Sequence, residues 1–186
     1  MKPDSARAAP IGPLTPHLYT PTAARPLRAK LLRLRADTRV VPHAHPWGQV
    51  ALSSTGVIRV TVPHGSYIVP PSRAVWIPPG VEHAVTVIED AELLTLYLHQ
   101  PRSRCGPARS AAESAGWRQC RVLEVSSLLL ALALQLDATP DTRHASCYCK
   151  RSAVYSSVPC MITILRLASS RPQRSFNTLV SNGRGT

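Results

Sequence analysis

Two histidines stand two residues apart at His43 and His45, Gln49 follows four residues after the second, and Gly56 comes seven after that. A third histidine, His83, closes the run Pro78-Pro79-Gly80-Val81-Glu82-His83. Imidazole is the side chain best suited near neutral pH either to ligate a metal ion or to trade hydrogen bonds with a small polar molecule. Alternate residues of an extended strand share a face, so His43, His45 and Gln49 are expected on one face if the strand stays regular through Gly48. The proline-glycine turn would then deliver His83 at the start of the next strand. Both uses of the group remain open: a metal site of His43, His45, Gln49 and His83, or a metal-free pocket lined by the same residues. Trp47 and Trp76 are candidates to stack on a bound molecule, with a core role as the plainer alternative. Tyr67 and Tyr97 read as core, Glu82 as pointing away from His83, and Arg73, His64 and His99 as solvated.

The elements that must position these residues are short strands. Val57–Val62 alternates strictly, with Ile58, Val60 and Val62 on one face and Val57, Arg59 and Thr61 on the other. Lys30–Arg35, Gln49–Ser54, Tyr67–Val69, Ala74–Ile77, Ala84–Ile88 and Leu93–Leu98 complete the set. Thr55-Gly56, Pro63-His64-Gly65, Pro70-Pro71-Ser72, Pro78-Pro79-Gly80 and Glu89-Asp90 punctuate them. Strands at this spacing predict a sandwich or barrel over residues 27–100. Residues 1–26 read as an irregular proline-rich leader, and 101–116 as a polar linker. Val122, Val125, Leu129 and Leu132 recur at helical spacing, so 117–140 is predicted to hold a helix that must bury its apolar face on the barrel or on a second copy.

The chain has 186 residues, 44% of them hydrophobic, enough for one domain with a core. Its formal net charge is +12, half of it in residues 146–186, which carry six basic residues and no acid. A charge-biased tail accounts for the excess as well as a nucleic-acid partner would. Residues 141–186 read as a disordered tail in which Met161–Leu167 is the one strand-like run. Its His144, Cys147, Cys149 and Cys160 match no standard zinc-finger spacing. Five irregularly spaced cysteines fit reduced thiols. With no secretory apolar segment and no run long enough to span a bilayer, a cytoplasmic protein with no membrane contact is expected.

The spacing of His43, His45, Gln49 and Gly56, with Pro78, Gly80 and His83, resembles the two motifs of the cupin family. The resemblance implies an antiparallel β-barrel of the double-stranded β-helix, or jelly-roll, type, in which three histidines and an acid bind one divalent ion. Gln49 stands where that family has its acid, and Val87 where it has a final Asn. Three imidazoles and an amide oxygen lack the anion that helps to hold Fe²⁺ or Mn²⁺, which favours Zn²⁺, Ni²⁺ or Cu²⁺ as the guest.

His43 to Gln49, Tyr67 to His83, and Cys120-Arg121-Val122-Leu123-Glu124-Val125-Ser126 further resemble the N-terminal domain of AraC-type transcription regulators. This resemblance implies an effector-binding and dimerisation domain, its effector contacted by His43, His45, Gln49, His83, Trp47 and Trp76, with a homodimer formed through the Val122–Leu136 helix. That family's C-terminal helix-turn-helix units find no match here, so no specific DNA binding is expected of this chain alone. A frameshift near residues 143–148 would account for the tail. The alternative is a small metal-dependent cupin enzyme, a dioxygenase, isomerase or decarboxylase, using the same histidines.

Overall fold

A computed structural model describes residues 10–12, 16–101, 105–108, 110–136, 163 and 165. Among these residues ten strands occur in chain order: β1 Pro10–Ile11, β2 Leu27–Leu34, β3 Arg39–His43, β4 Gly48–Ser53, β5 Ile58–Val62, β6 Gly65–Val69, β7 Arg73–Ile77, β8 His83–Val87, β9 Ala91–Leu98 and β10 Arg121–Glu124. A 3₁₀ turn spans Pro16–Tyr19, helix α1 spans Ala111–Gly116 and helix α2 spans Ser127–Leu134. One sheet runs β1-β3-β8-β5-β6 and the other β10-β7-β4-β9-β2. Every pairing is antiparallel except β1 on β3. Numbering β2 to β9 as one to eight, the sheets read 1-8-3-6 and 2-7-4-5, the jelly-roll order of a cupin-type barrel.

Strict alternation sorts each strand's residues into two cores. Between the sheets lie Val40, Ala51, Ile58, Val60, Val62, Val69, Val75, Ile77, Val85, Val87, Ala91 and Leu93. On the outer face of the β10-β7-β4-β9-β2 sheet, Leu27, Ala29, Val50, Leu52, Trp76, Leu94, Leu96 and Leu98 pack against Trp117, Leu129, Ala133 and Leu165. This sheet is therefore covered on both faces. In the opposite sheet β5 keeps one wet face: Ile58, Val60 and Val62 are buried while Arg59 and Thr61 are exposed.

The segments flanking the barrel depart from expectation. Arg121–Glu124 is a strand that extends the sheet at β7, so the helix expected through Val122 and Val125 begins only at Ser127. An apolar run this short does not fix its period, and pairing with the open edge of β7 decided it. Ser126 caps α2, its Oγ accepting from the Leu129 N–H. The linker contains α1, opened by Ser110, whose Oγ accepts from the Glu113 N–H. Of the tail, only Thr163 and Leu165 are described; both are helical rather than extended, and Leu165 is buried in the outer core. The four residues of the tail weighed as a zinc site, and the proposed frameshift point, lie outside the described residues.

Candidate functional site

His43, His45 and His83 converge at one end of the barrel interior. The expectation that His43 and His45 share one strand is corrected: β3 ends at His43 and His45 lies in the loop before β4. Two local devices bring them together. The β3–β8 register slips between Val40 and His43, after which His43 stands directly across from His83. Such irregularities re-aim side chains, and Pro42, with no N–H to give the ladder, suits the slip. In the turn before β8, Gly80 adopts φ 76°, and its N–H donates to the His45 carbonyl at 2.9 Å. That bond ties the loop carrying His45 to the turn that launches His83.

Ring centroids are 4.4 Å apart for His43 and His83, 5.1 Å for His45 and His83, and 6.1 Å for His43 and His45. One ligand atom from each lies within 4.8 Å of the others. Each Nδ1 faces a backbone carbonyl: His43 to Val41 at 3.0 Å, His45 to Trp47 at 2.8 Å and His83 to Val81 at 2.9 Å. A carbonyl only accepts, so each Nδ1 carries a proton and donates it. In a ring with one proton, the Nε2 lone pair then remains for a partner. Burial pushes the His83 ring down to about 4 and also lowers His45, which keeps both neutral at physiological pH.

Gln49 reaches the cluster from β4, its amide 2.8 Å from His45 Nε2. A neutral ring whose Nδ1–H is committed to Trp47 can only accept there, so the amide satisfies it by turning its N–H₂ inward. Trp47 stacks on His45, 5.0 Å between centroids and 7° between planes. Two buried polar atoms at this site have no hydrogen-bond partner among the described residues: the acceptor His83 Nε2 and the donor Trp47 Nε1. Natural interiors seldom leave such groups unmet without a reason.

Trp76, expected at the site, is not brought to it. Trp76 alternates with Val75 and Ile77 and so faces the outer core, where its Nε1–H donates to the Trp117 carbonyl at 2.7 Å. Tyr97 reads from the sequence as a core residue, and in the structure its ring lies 5.6 Å from His45 and 6.0 Å from Trp47. Its cross-strand partners are Gln49 on one side and Arg28 on the other. Arg28 and Lys30 also went unnoticed; both face the interior and both are buried. The alternation of Leu94, Leu96 and Leu98 in β9, which sets Thr95 and Tyr97 on the opposite face, was the available signal.

A family model described as the AraC-like ligand binding domain matches residues 28–150. The HTH-type transcriptional regulator NimR of Escherichia coli (strain K12) is 36% identical over 103 residues, which are 55% of this chain and 34% of that regulator. The chain thus spans about a third of that relative's length. Among solved structures, a conserved protein of unknown function from Streptococcus pyogenes aligns at TM-score 0.39 and 18% identity, over 41% of this chain and 67% of that one. A cupin-2 domain protein from Shewanella frigidimarina NCIMB 400 aligns at TM-score 0.36 and 19% identity, over 39% and 71%. Oxalate decarboxylase of Bacillus subtilis aligns at TM-score 0.36 and 26% identity, over 39% of this chain and 21% of the enzyme. At such TM-scores these likenesses carry no argument about activity.

Proposed function

We infer what this chain does from the family to which it belongs, that of the AraC-like ligand binding domains: it is an effector-binding regulatory domain. The effector enters the barrel and is held at His43, His45, Gln49 and His83, with Trp47 and Tyr97 beside it. The observation that carries this reading is the unmet pair at the site, a buried acceptor on His83 Nε2 and a buried donor on Trp47 Nε1. A small molecule with one hydroxyl or N–H and one oxygen acceptor would satisfy both, and would lift a cost of about 1–3 kcal/mol for each group left bare.

Transmission runs through the sheet. Gln49 and Tyr97 face the effector from β4 and β9, and the next residues of those strands, Val50, Leu96 and Leu98, face the outer core in which α2 packs. An effector that binds two positions of these strands unequally shifts the placement of α2. That helix is apolar around its circumference, with Leu129 and Ala133 buried and Leu128 and Leu134 exposed. We assign its outer face to a second copy of the chain, and assign no DNA contact to the two short helices. Among the described residues no helix is long and apolar enough to cross a membrane; a regulator of transcription would act in the cytoplasm.

A second reading is favoured by the three Nδ1–H bonds to carbonyls, the arrangement that orients imidazoles toward a metal. The bare His83 Nε2 fits an ion as well as it fits an effector. His43, His45 and His83 would hold it, with the Gln49 oxygen turned in, and the neutral donor set favours Zn²⁺, Ni²⁺ or Cu²⁺. Such an ion would supply a Lewis-acid contact for an effector oxygen.

The test is thermal stabilisation by a panel of small polar molecules, read on the wild type, His83→Gln and Trp47→Phe. Stabilisation present in the wild type and lost in both variants supports the assignment. Stabilisation that survives in both variants moves the binding site elsewhere and overturns it.

A further inference from the structure

The outer face of the β1-β3-β8-β5-β6 sheet is turned to solvent. Direct cross-strand partners set Pro10, Arg39, Thr86, Arg59 and Ile68 in one row across its five strands. Their neighbours along the strands, among them Val40, Val85 and Val60, belong to the core between the sheets, so the row looks outward. Thr86 is half-buried and the other four are exposed. The Ile88 N–H donates to the Val57 carbonyl at 2.8 Å, which continues the β5–β8 register and turns Ile88 to the same side. Ile68 and Ile88 are 51% and 39% exposed, two of the five large apolar side chains exposed among the described residues.

The charge of this face has one sign. None of its five strands contains Asp or Glu. Arg39 and Arg59 stand two strands apart, which sets their Cα atoms roughly 10 Å from each other. Neither guanidinium has a hydrogen-bond or ion-pair partner among the described residues, and Asp37, two residues before Arg39, forms an ion pair with neither.

We propose that this face docks a short acidic segment of another protein, its carboxylates on Arg39 and Arg59 and its apolar side chains over Ile68 and Ile88. Guanidinium and carboxylate match as paired donors and acceptors. The chain itself is a poor source of such a segment: it has 22 basic residues against 10 acidic, and residues 146–186 carry no acid at all. A second copy or the tail would therefore bring like charge to the arginines. A nucleic acid would find only two cations in the row and would leave both isoleucines wet, whereas phosphate binding grows with the number of cations engaged. Five strands of about five residues give a patch roughly 20 Å by 16 Å. That suits a short segment better than a folded partner, whose stable interface covers about 800 Å² on each side. The proposal is independent of what the barrel interior holds.

The experiment selects a random-peptide display library on the wild-type protein and measures the recovered peptides by calorimetry. They are expected to combine Asp or Glu with apolar residues, and to bind less tightly as salt rises. Affinity is expected to fall tenfold or more in the double variant Arg39→Gln with Arg59→Gln. It is expected to hold in Arg73→Gln, which removes an exposed arginine from the other sheet. One arm needs no variant to fold: in the wild type, peptide should shift the methyl resonances of Ile68 and Ile88 and leave those of Leu128 and Leu134 in place. Peptides without an acidic excess, an equal loss in Arg73→Gln, or unmoved isoleucine methyls each overturn the proposal. So does tighter binding of duplex DNA or of phosphatidylserine vesicles through Arg39 and Arg59, which would give the face to a nucleic acid or a membrane.

Discussion

His43 and His83 are direct partners across the β3–β8 ladder, with ring centroids 4.4 Å apart. Their meeting depends on the slipped register before His43 and the glycine turn before His83, and His45 is drawn in by the Gly80 N–H. The cluster is a product of backbone geometry, so its chemistry can be altered by side-chain changes that leave the fold in place.

Replacing the neutral amide by a carboxylate is one such change. Gln49→Glu supplies the anion that the donor set lacks, and Zn²⁺ or Ni²⁺ affinity by calorimetry is expected to rise about 10–100-fold. His83→Ala is expected to abolish the binding. Equal affinity in the wild type and Gln49→Glu would place any bound ion away from Gln49.

Acid should weaken the metal-free protein through the same residues. His83 is depressed to about 4 in the folded state against an ordinary value near 6.5, so between those values the unfolded chain binds more protons. Its contribution is complete above about pH 6.5 and is lost as pH falls toward 4, on the order of 3 kcal/mol in all. Urea unfolding in a chelator is expected to give a steeper loss for the wild type than for His83→Gln over this window. Parallel curves would contradict the burial argument.

On the outer face, Gly48 makes room for Trp76. A Cβ at Gly48 would overlap the Trp76 indole, which is wholly buried and held by its bond to the Trp117 carbonyl. Gly48→Ala is expected to cost about 1–3 kcal/mol in urea unfolding, and less in a Trp76→Leu background where the ring is gone.

The exposed leucines of α2 give a prediction about assembly. Leu128 and Leu134 are 58% and 45% exposed. Leu128→Glu with Leu134→Glu is expected to convert a dimer to a monomer in sedimentation velocity while the melting curve of the barrel keeps its shape. An unchanged sedimentation coefficient would remove α2 from any interface.

Much of this was readable from residue order, for identifiable reasons. Hairpin punctuation and the strict alternation of Val57–Val62 announce the strands, and the two histidine motifs announce a shared destination for His43, His45, Gln49 and His83. Arg28 and Lys30 escaped because basic residues alternating with Leu27 and Ala29 suggest a strand with one wet face, whereas this sheet is covered on both sides. Trp76 takes the core role of its two sequence readings, and the choice was hidden for a related reason. Which side of a doubly covered strand looks inward is set by register with β4, and no single segment states it. Val122 to Val125 fit either period, and only the free edge of β7 resolves them.

The most direct measurement is a two-bond ¹H–¹⁵N correlation spectrum of the histidine rings during titration with a molecule that raises the melting temperature. The account expects the Nε2 resonances of His45 and His83 to move together, saturating at one equivalent, while both Nδ1 remain protonated. A stabilising molecule that leaves both Nε2 resonances in place would contradict it.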